Sequence, residues 1–406
     1  MNSLELFSGV GGLAKGLELS GLNHSALIEL NRNAYASLCE NFESSRVFLR
    51  DVRNFNFDVL NNIDVVAGGP PCQPFSLGGK HKGEQDKRDM FPYAIHAIGT
   101  LKPKAFVFEN VKGLLRRTFA DYFEYIILRL TYPSYVLKSV LDWQNDLNRL
   151  RNISRSSHIK KEYHVQFKLI NTANYGVPQI RDRVVIVGIR SNLECSWLFP
   201  VEPYSEDRLF WDMYVTGSYW NRHKVVQSER LPIDSLIERK IAKIIKKYNT
   251  FGPASMPWRT LRDTLSHLPD PMSNHGIVDH IFHGGARIYP GHTGSPLDAP
   301  AKTIKAGDHG VPGGENMIRF PDGTVRYLTV LEAKLVQTFP HDFIVKGKWG
   351  EAMRQIGNAV PVLLAETIGY ELVKTLNSAT PDRATIKTEL RKPELTSRSE
   401  FSCSLE

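Results

Sequence analysis

The sequence is poor in cysteine, with only Cys39, Cys72, Cys195 and Cys403 among 406 residues. They are far apart and in no disulfide or metal-ligand spacing, which excludes a disulfide scaffold and fits a reducing, intracellular setting. No apolar run is long enough to cross a bilayer. Met1-Asn2-Ser3 leads directly into a strand-like run, so we expect no signal peptide, no preceding domain and a cytoplasmic location. No Walker lysine follows any Gly-rich turn, and there are no internal repeats. His280, His283 and His292 have no cysteine or carboxylate spacing to complete a zinc site, so no metal is expected.

What is present describes an ordinary soluble globular chain, 42% hydrophobic and 23% charged, with room for two domains. The net charge of +8 is unevenly placed. Residues 112–190 carry 14 basic and 6 acidic side chains, whereas 191–325 carry 15 of each. Arg116, Arg117, Arg149, Arg151, Arg155, Lys160 and Lys161 make up most of the basic block. Such a block suits either a polyanion or a solvated loop.

Short apolar runs alternate with helical patterns through residues 1–190, as in βαβ units. Strands are expected at 4–8, 25–29, 47–51, 63–67, 104–109, 163–171 and 183–189. Helices are expected at 13–20, 34–41, 91–101 and 119–130. The fold class is therefore α/β, a doubly wound, mostly parallel seven-stranded sheet with a smaller, irregular second domain. The expected division is 1–190, 191–325, a return segment 326–354 and a closing helix over 355–377, then a disordered tail 378–406. Residues 191–325 hold seven of the thirteen histidines and four of the six tryptophans. Their one clear helical pattern, 237–248, has an apolar stripe under a basic face.

The ends of the first three strands share one chemistry. After the first, Phe7-Ser8-Gly9-Val10-Gly11-Gly12 lets backbone N–H groups approach a ligand at a helix N-terminus. Glu29 ends the second strand about 20 residues on, where a carboxylate can bind both hydroxyls of a ribose. Asp51 ends the third and can accept from an adenine amino group. Together they describe an adenosine-type ligand without a phosphate clamp.

After the fourth run comes Gly68-Gly69-Pro70-Pro71-Cys72-Gln73-Pro74-Phe75-Ser76, a stiff turn that presents a thiol at a strand's carboxyl end. A thiol so displayed is a candidate nucleophile. Glu109-Asn110-Val111 ends the fifth strand, where a carboxyl can donate or share a proton beside a ring nitrogen. In Gln179-Ile180-Arg181-Asp182-Arg183 two arginines at i and i+2 share one face of an extended segment.

At this point the chain resembles the DNA (cytosine-5)-methyltransferase family of bacterial restriction-modification systems. The motifs quoted above recur in the family's order. They are followed by Arg326-Tyr327-Leu328-Thr329 with Glu332, by Phe339-Pro340, and by Gln355-Ile356-Gly357-Asn358-Ala359-Val360-Pro361. The resemblance implies S-adenosylmethionine as methyl donor and S-adenosylhomocysteine as product. It places Phe7, Gly9, Gly11, Glu29, Leu30, Asp51, Val52, Pro71, Phe91, Asn358 and Ala359 at the cofactor. It implies a Cys72 adduct with a cytosine flipped out of double-stranded DNA, as such chemistry requires. Glu109 and Arg183 are expected on the ring, and Arg181 near the thiol, with the two arginine roles exchangeable.

Residues 191–325 fall where the family keeps its target-recognition domain. Candidate DNA contacts are Gln73, Ser76, Lys80, Lys82, Arg88, Lys160, Lys161, Arg287, Lys302 and Lys305. The expected enzyme is a monomer, matched with a restriction endonuclease at the same site but not touching it. A nicotinamide oxidoreductase would leave Cys72, Glu109 and the arginines without a use. An RNA-modifying relative fits poorly with the long 191–325 insertion and the absence of Cys-Phe-Thr. A catalytically dead DNA-binding module is disfavoured because every catalytic position is filled.

Overall fold

The computed structural model describes residues 1–71, 89–135, 143–306 and 316–381. Cys72, Gln73, Ser76, Lys80, Lys82 and Arg88, and the tail from 382, lie outside the described residues.

The first half alternates as the apolar runs require. Its elements are β1 (Asn2–Leu6), α1 (Gly12–Leu19), β2 (Asn23–Glu29), α2 (Arg32–Asn41), β3 (Val47–Leu49), β4 (Val65–Gly68), α3 (Phe91–Leu101), β5 (Ala105–Val111), α4 (Ala120–Thr131), α5 (Trp143–Arg155), β6 (Tyr163–Asn171) and β7 (Asp182–Arg190). The sheet order is β3-β2-β1-β4-β5-β7-β6. All neighbours are parallel except β7, which runs antiparallel to both β5 and β6. The chain reverses its direction of winding between β1 and β4, the crevice where open α/β sheets bind ligands.

Strand parity distributes side chains to the two faces. Leu4, Leu6, Phe106 and Phe108 pack into one core with α3 and α4. Val65, Ala67, Val107, Val185 and Val187 pack into another beneath α1 and the C-terminal helix. Glu109 and Arg183 continue this second face past the edge of the core. Helix α5 is the one long element of this half that the expected pattern omits. Its charged sequence buries only Asp146, Leu147 and Leu150.

The second half contributes short helices α6 (Glu206–Phe210), α7 (Ser218–His223), α8 (Ser235–Tyr248) and α9 (Leu261–Leu265). It continues with α10 (Val330–Val336), α11 (Trp349–Asn358) and α12 (Val362–Ser378). Leu209, Met213, Tyr219, Trp220 and Trp258 form a small core together with Ala173 of the first half. Leu261, Ala301, Ile304 and Ile318 instead share a core with Leu328, Ala333, Phe339, Met353 and Ile356. The expected boundary at 325/326 thus runs through one packed cluster. The α8 stripe is shallow, with Ile244 its one buried residue and Ile245 at the surface.

Helix α12 returns onto α1, and two glycines make the approach close. A Cβ on Gly12 would lie 2.3 Å from the Val360 carbonyl oxygen, and one on Gly16 would lie 2.4 Å from Ala365 Cβ. Beside them, in the middle of β1, Glu5 is fully buried and its Oε2 has no partner. Burial pushes the Glu5 carboxyl well above the ordinary range; a hydrogen bond from Ala14 N–H opposes this and the charge of Glu29 adds to it. The folded state therefore keeps a proton that the unfolded chain loses above the ordinary Glu value. Stability from this group is full below that value and declines as pH rises through the folded one. Glu5→Gln, which cannot ionise, should flatten the fall in melting temperature between pH 5 and pH 8. An unchanged slope would remove Glu5 from the pH response.

Candidate active site

The carboxyl edge of the sheet gathers the expected turns. Immediately after β1, Phe7, Gly9 and Gly11 all have positive φ (57°, 54° and 95°). For Phe7 this is a costly left-handed conformation of the kind that collects at ligand sites. It opens the turn so that Gly9 N–H donates to Glu29 Oε2 (2.7 Å), while Asn31 N–H donates to Glu29 Oε1 (2.6 Å). Glu29 is thus oriented by two backbone donors, with lone pairs on each oxygen left for a diol. Nothing stands within 4 Å of a Cβ position at Gly9. The turn is open at Gly9.

Asp51 is held differently from the simple acceptor expected. Arg53 grips its carboxylate through Nε and Nη2, and its own N–H is a third donor. These bonds hold the Asp51 carboxyl below its ordinary range, so it remains an anionic acceptor. Leu30 is 61% exposed and can cover a ring. Val52 is buried in the first core. Phe91 is a correction: fully buried, it packs edge-on against Phe108 and offers no ring surface to a ligand. Asn358 is exposed and Ala359 buried where the end of α11 meets the Gly-rich turn.

On the other side of the switch point, Asn110 Nδ2 donates to the Pro70 carbonyl (3.0 Å), pinning the turn after β4 to the end of β5. Pro71 is exposed there, and its carbonyl accepts from Met90 N–H. Residues 72–88, which include the candidate thiol, lie outside the described residues. Asp89 caps α3 through Phe91 N–H and accepts from the Tyr122 hydroxyl. Glu109 and Arg183 lie diagonally across the β5–β7 ladder, where Glu109 faces Val185 and Arg183 faces Val111. Arg183 Nε meets Glu109 Oε1 at 2.5 Å, and both side chains are about one-eighth exposed (12% and 13%). Glu109 Oε2 lies beside Gly69, 3.5 Å from where a Cβ would stand, an ordinary contact distance.

The two arginines do not share that pocket as equals. Arg181 precedes β7 and turns inward. Its guanidinium is buried and donates to the carbonyls of Ile304 (3.2 Å), Gly357 (2.8 Å) and Ala359 (3.2 Å). Burial, with the neighbouring Arg183 charge, pushes it well below the ordinary arginine range. Arg183 is thus the arginine that meets Glu109, and the roles are not exchangeable in this geometry.

The basic block is also divided by the fold. Arg116 and Arg117 follow β5 at the carboxyl edge. Lys160 and Lys161 precede β6, which runs parallel to β5, so they sit at the opposite edge, roughly a strand length (about 25 Å) away. Phosphate contact by these two lysines next to the site is therefore not sustained. Arg149 and Arg151 pair with Asp146, Asp121 and Glu124. Arg287 and Lys305 are exposed, and Lys302 donates to Thr293. His280 is buried with its nitrogens on Thr329 Oγ1 and the Pro269 carbonyl, a structural role. Among the described residues no group of three metal-binding side chains forms.

This strand order, with an antiparallel seventh strand and a carboxylate-gripped Gly-rich turn, is that of a nucleoside-cofactor methyltransferase. Within that class the chain belongs to the C-5 cytosine-specific DNA methylase family, whose sequence profile matches residues 1–143 and 143–374. The Type II methyltransferase M.NgoMIV of Neisseria gonorrhoeae is 31% identical over 379 residues, covering 92% of this chain and 97% of the relative. M.PspPI of Psychrobacter sp. (strain TA137) is 31% identical over 382 residues, covering 93% and 80%. The crystal structure of S. pombe Dnmt2 methyltransferase shares the fold, with a TM-score of 0.56 at 16% identity over 93% of this chain and 99% of that one. The chain is a DNA (cytosine-5)-methyltransferase of the Type II modification kind, and its family uses S-adenosylmethionine.

Gln337, a fully buried side chain just before Phe339-Pro340, is a residue that sequence reasoning missed. A lone amide in an apolar helix end was its one signal. Glu29 gives the site's simplest test. Glu29→Gln places an NH2 where an oxygen now accepts a backbone N–H, which should cost about 1–3 kcal/mol and weaken S-adenosylhomocysteine binding roughly tenfold or more in a titration. Unchanged affinity would take Glu29 out of the cofactor site.

Proposed function

We propose that this chain methylates carbon 5 of a cytosine flipped from duplex DNA within one short sequence, through a covalent adduct with Cys72. The observation that carries the reading is the Glu109–Arg183 pair, set beside the turn that leads into the thiol. The open Gly9 turn, Glu29, Asp51 and the exposed Leu30 are a donor and acceptor set that fits an adenosine-type cofactor. S-adenosylmethionine supplies an electrophilic methyl group there and departs as S-adenosylhomocysteine.

Carbon 5 of cytosine is a poor nucleophile on its own. The Cys72 thiolate forms a bond to carbon 6, and the displaced π electrons make carbon 5 electron-rich and load the ring's N3 and O2. Glu109 holds or protonates N3, and Arg183 orients Glu109 while donating to O2. Once carbon 5 carries its methyl, loss of its proton restores the double bond and expels the thiolate. Arg116 and Arg117, on the same edge, suit the DNA backbone. Base readout belongs to the irregular loops that carry Arg287, Lys302 and Lys305. The enzyme acts as a cytoplasmic monomer, and a restriction endonuclease at the same sequence would complete the system without contact.

The test is single-turnover methyl transfer to duplex DNA. Cys72→Ala should abolish it, and DNA carrying 5-fluorocytosine should trap the parent enzyme covalently, since that adduct has no removable proton. Glu109→Gln should slow it about 10²–10⁴-fold, as for loss of a general acid, with far less effect on DNA affinity. Substantial turnover by the Ala variant would overturn the covalent route.

A further inference from the structure

Arg181 belongs to a buried polar knot that the chemistry above does not use. Four segments distant in sequence meet in it: the approach to β7, the stretch around 301–305 in the recognition region, the end of α10, and the turn between α11 and α12. Gln179 Nε2 donates to Gln337 Oε1 (3.1 Å), and Gln179 Oε1 accepts from Ile304 N–H (3.0 Å). Gln337 Nε2 donates to the carbonyls of Ile356 (2.7 Å) and Ala359 (3.3 Å). The Arg181 guanidinium then bonds all of Ile304, Gly357 and Ala359.

Backbone bonds extend the tie, from Ile180 N–H to Ala301 O and from Ala301 N–H to Pro178 O, both 2.8 Å. Packing is equally close, since a Cβ on Gly357 would lie 2.8 Å from the Ala306 nitrogen and the Lys305 carbonyl carbon. The same turn covers the cofactor's Gly-rich loop through the Gly12–Val360 approach. Gln179, Arg181 and Gln337 are each at most 2% exposed.

We propose that Arg181, Gln179 and Gln337 are positioning residues that couple cofactor to DNA: a ligand that orders the 358–360 turn also orders the 301–305 segment. The proposal rests on the cofactor reading above. The knot has slack through which two arrangements can differ. Both Arg181 Nη2 and Gln337 Nε2 are shared between two carbonyls, and the Arg181 Nε, fully buried, has no partner. Fixing the turn selects one sharing pattern, and through Gln179 it fixes the Ile304 amide as well. By linkage, DNA then tightens cofactor binding by the same factor by which cofactor tightens DNA binding.

The first test uses the unaltered protein. On adding S-adenosylhomocysteine alone, hydrogen exchange should slow at the amides of Ile180, Ala301 and Ile304 as well as around Gly9 and Ala359. Protection confined to the Gly-rich turn and 356–360 would overturn the coupling. If no protection appeared anywhere and no DNA were methylated, the cofactor reading itself would have failed, which is a distinguishable result.

The second test compares affinity for S-adenosylhomocysteine with and without amplified, unmethylated genomic DNA. The parent should bind at least about fivefold tighter with DNA, the low end of usual couplings. Gln337→Met, similar in size but without the amide, and Arg181→Lys, charged but without the fork, should bring that factor below about twofold. A merely structural loss would lower both affinities and leave their ratio intact, and that result would contradict the proposal.

Discussion

The structure depends on the contact between Gly12 and the Val360 carbonyl. A doubly wound sheet brings β1 and β4 side by side and leaves a crevice between their turns, but a crevice alone has no roof. Here α12 returns from the far end of the sequence to lie on α1, at a separation that tolerates no side chain on Gly12 or Gly16. That approach places the 358–360 turn over the Gly-rich loop and brings Gly357 against residues 305–306. The Gly-rich loop, its roof and the 305–306 segment are thus within a few ångströms of one another because α1 carries glycine where α12 crosses it.

The edge that carries Glu109 and Arg183 follows from period-2 alternation. Val107 and Glu109 lie on one face of β5, and Arg183, Val185 and Val187 continue that face on β7. The apolar members bury themselves and fix the register. The charged members emerge where the core ends, close enough to pair at 2.5 Å. An antiparallel β7 is what makes this work, since it begins at the edge where β5 ends. The pair meets through Glu109 Oε1, with Glu109 Oε2 lying beside Gly69.

Much of this was legible in the sequence. The strand ends were found because glycines, prolines and lone charged residues interrupt short apolar runs, and 91–101 and 163–171 have the expected limits. What escaped depends on contacts between distant segments. Arg181 and Arg183 look equivalent in an extended segment, yet β7 starts between them and sends one inward. The charge of Lys160 and Lys161 is plain, but only the direction of β6 shows that it lies at the wrong edge. Helix α5 was missed because it buries a few residues under a charged surface. Phe91 is absorbed by Phe108 and the core, a destination no local pattern reveals.

The central claim is that the edge formed by the β4 turn, Glu109 and Arg183 activates carbon 5 of cytosine. Release of tritium to water from DNA labelled at cytosine carbon 5 tests it most directly. Release should keep step with methyl transfer and be lost in Cys72→Ala. Methyl transfer without tritium release would place the methyl group on another atom and contradict the account.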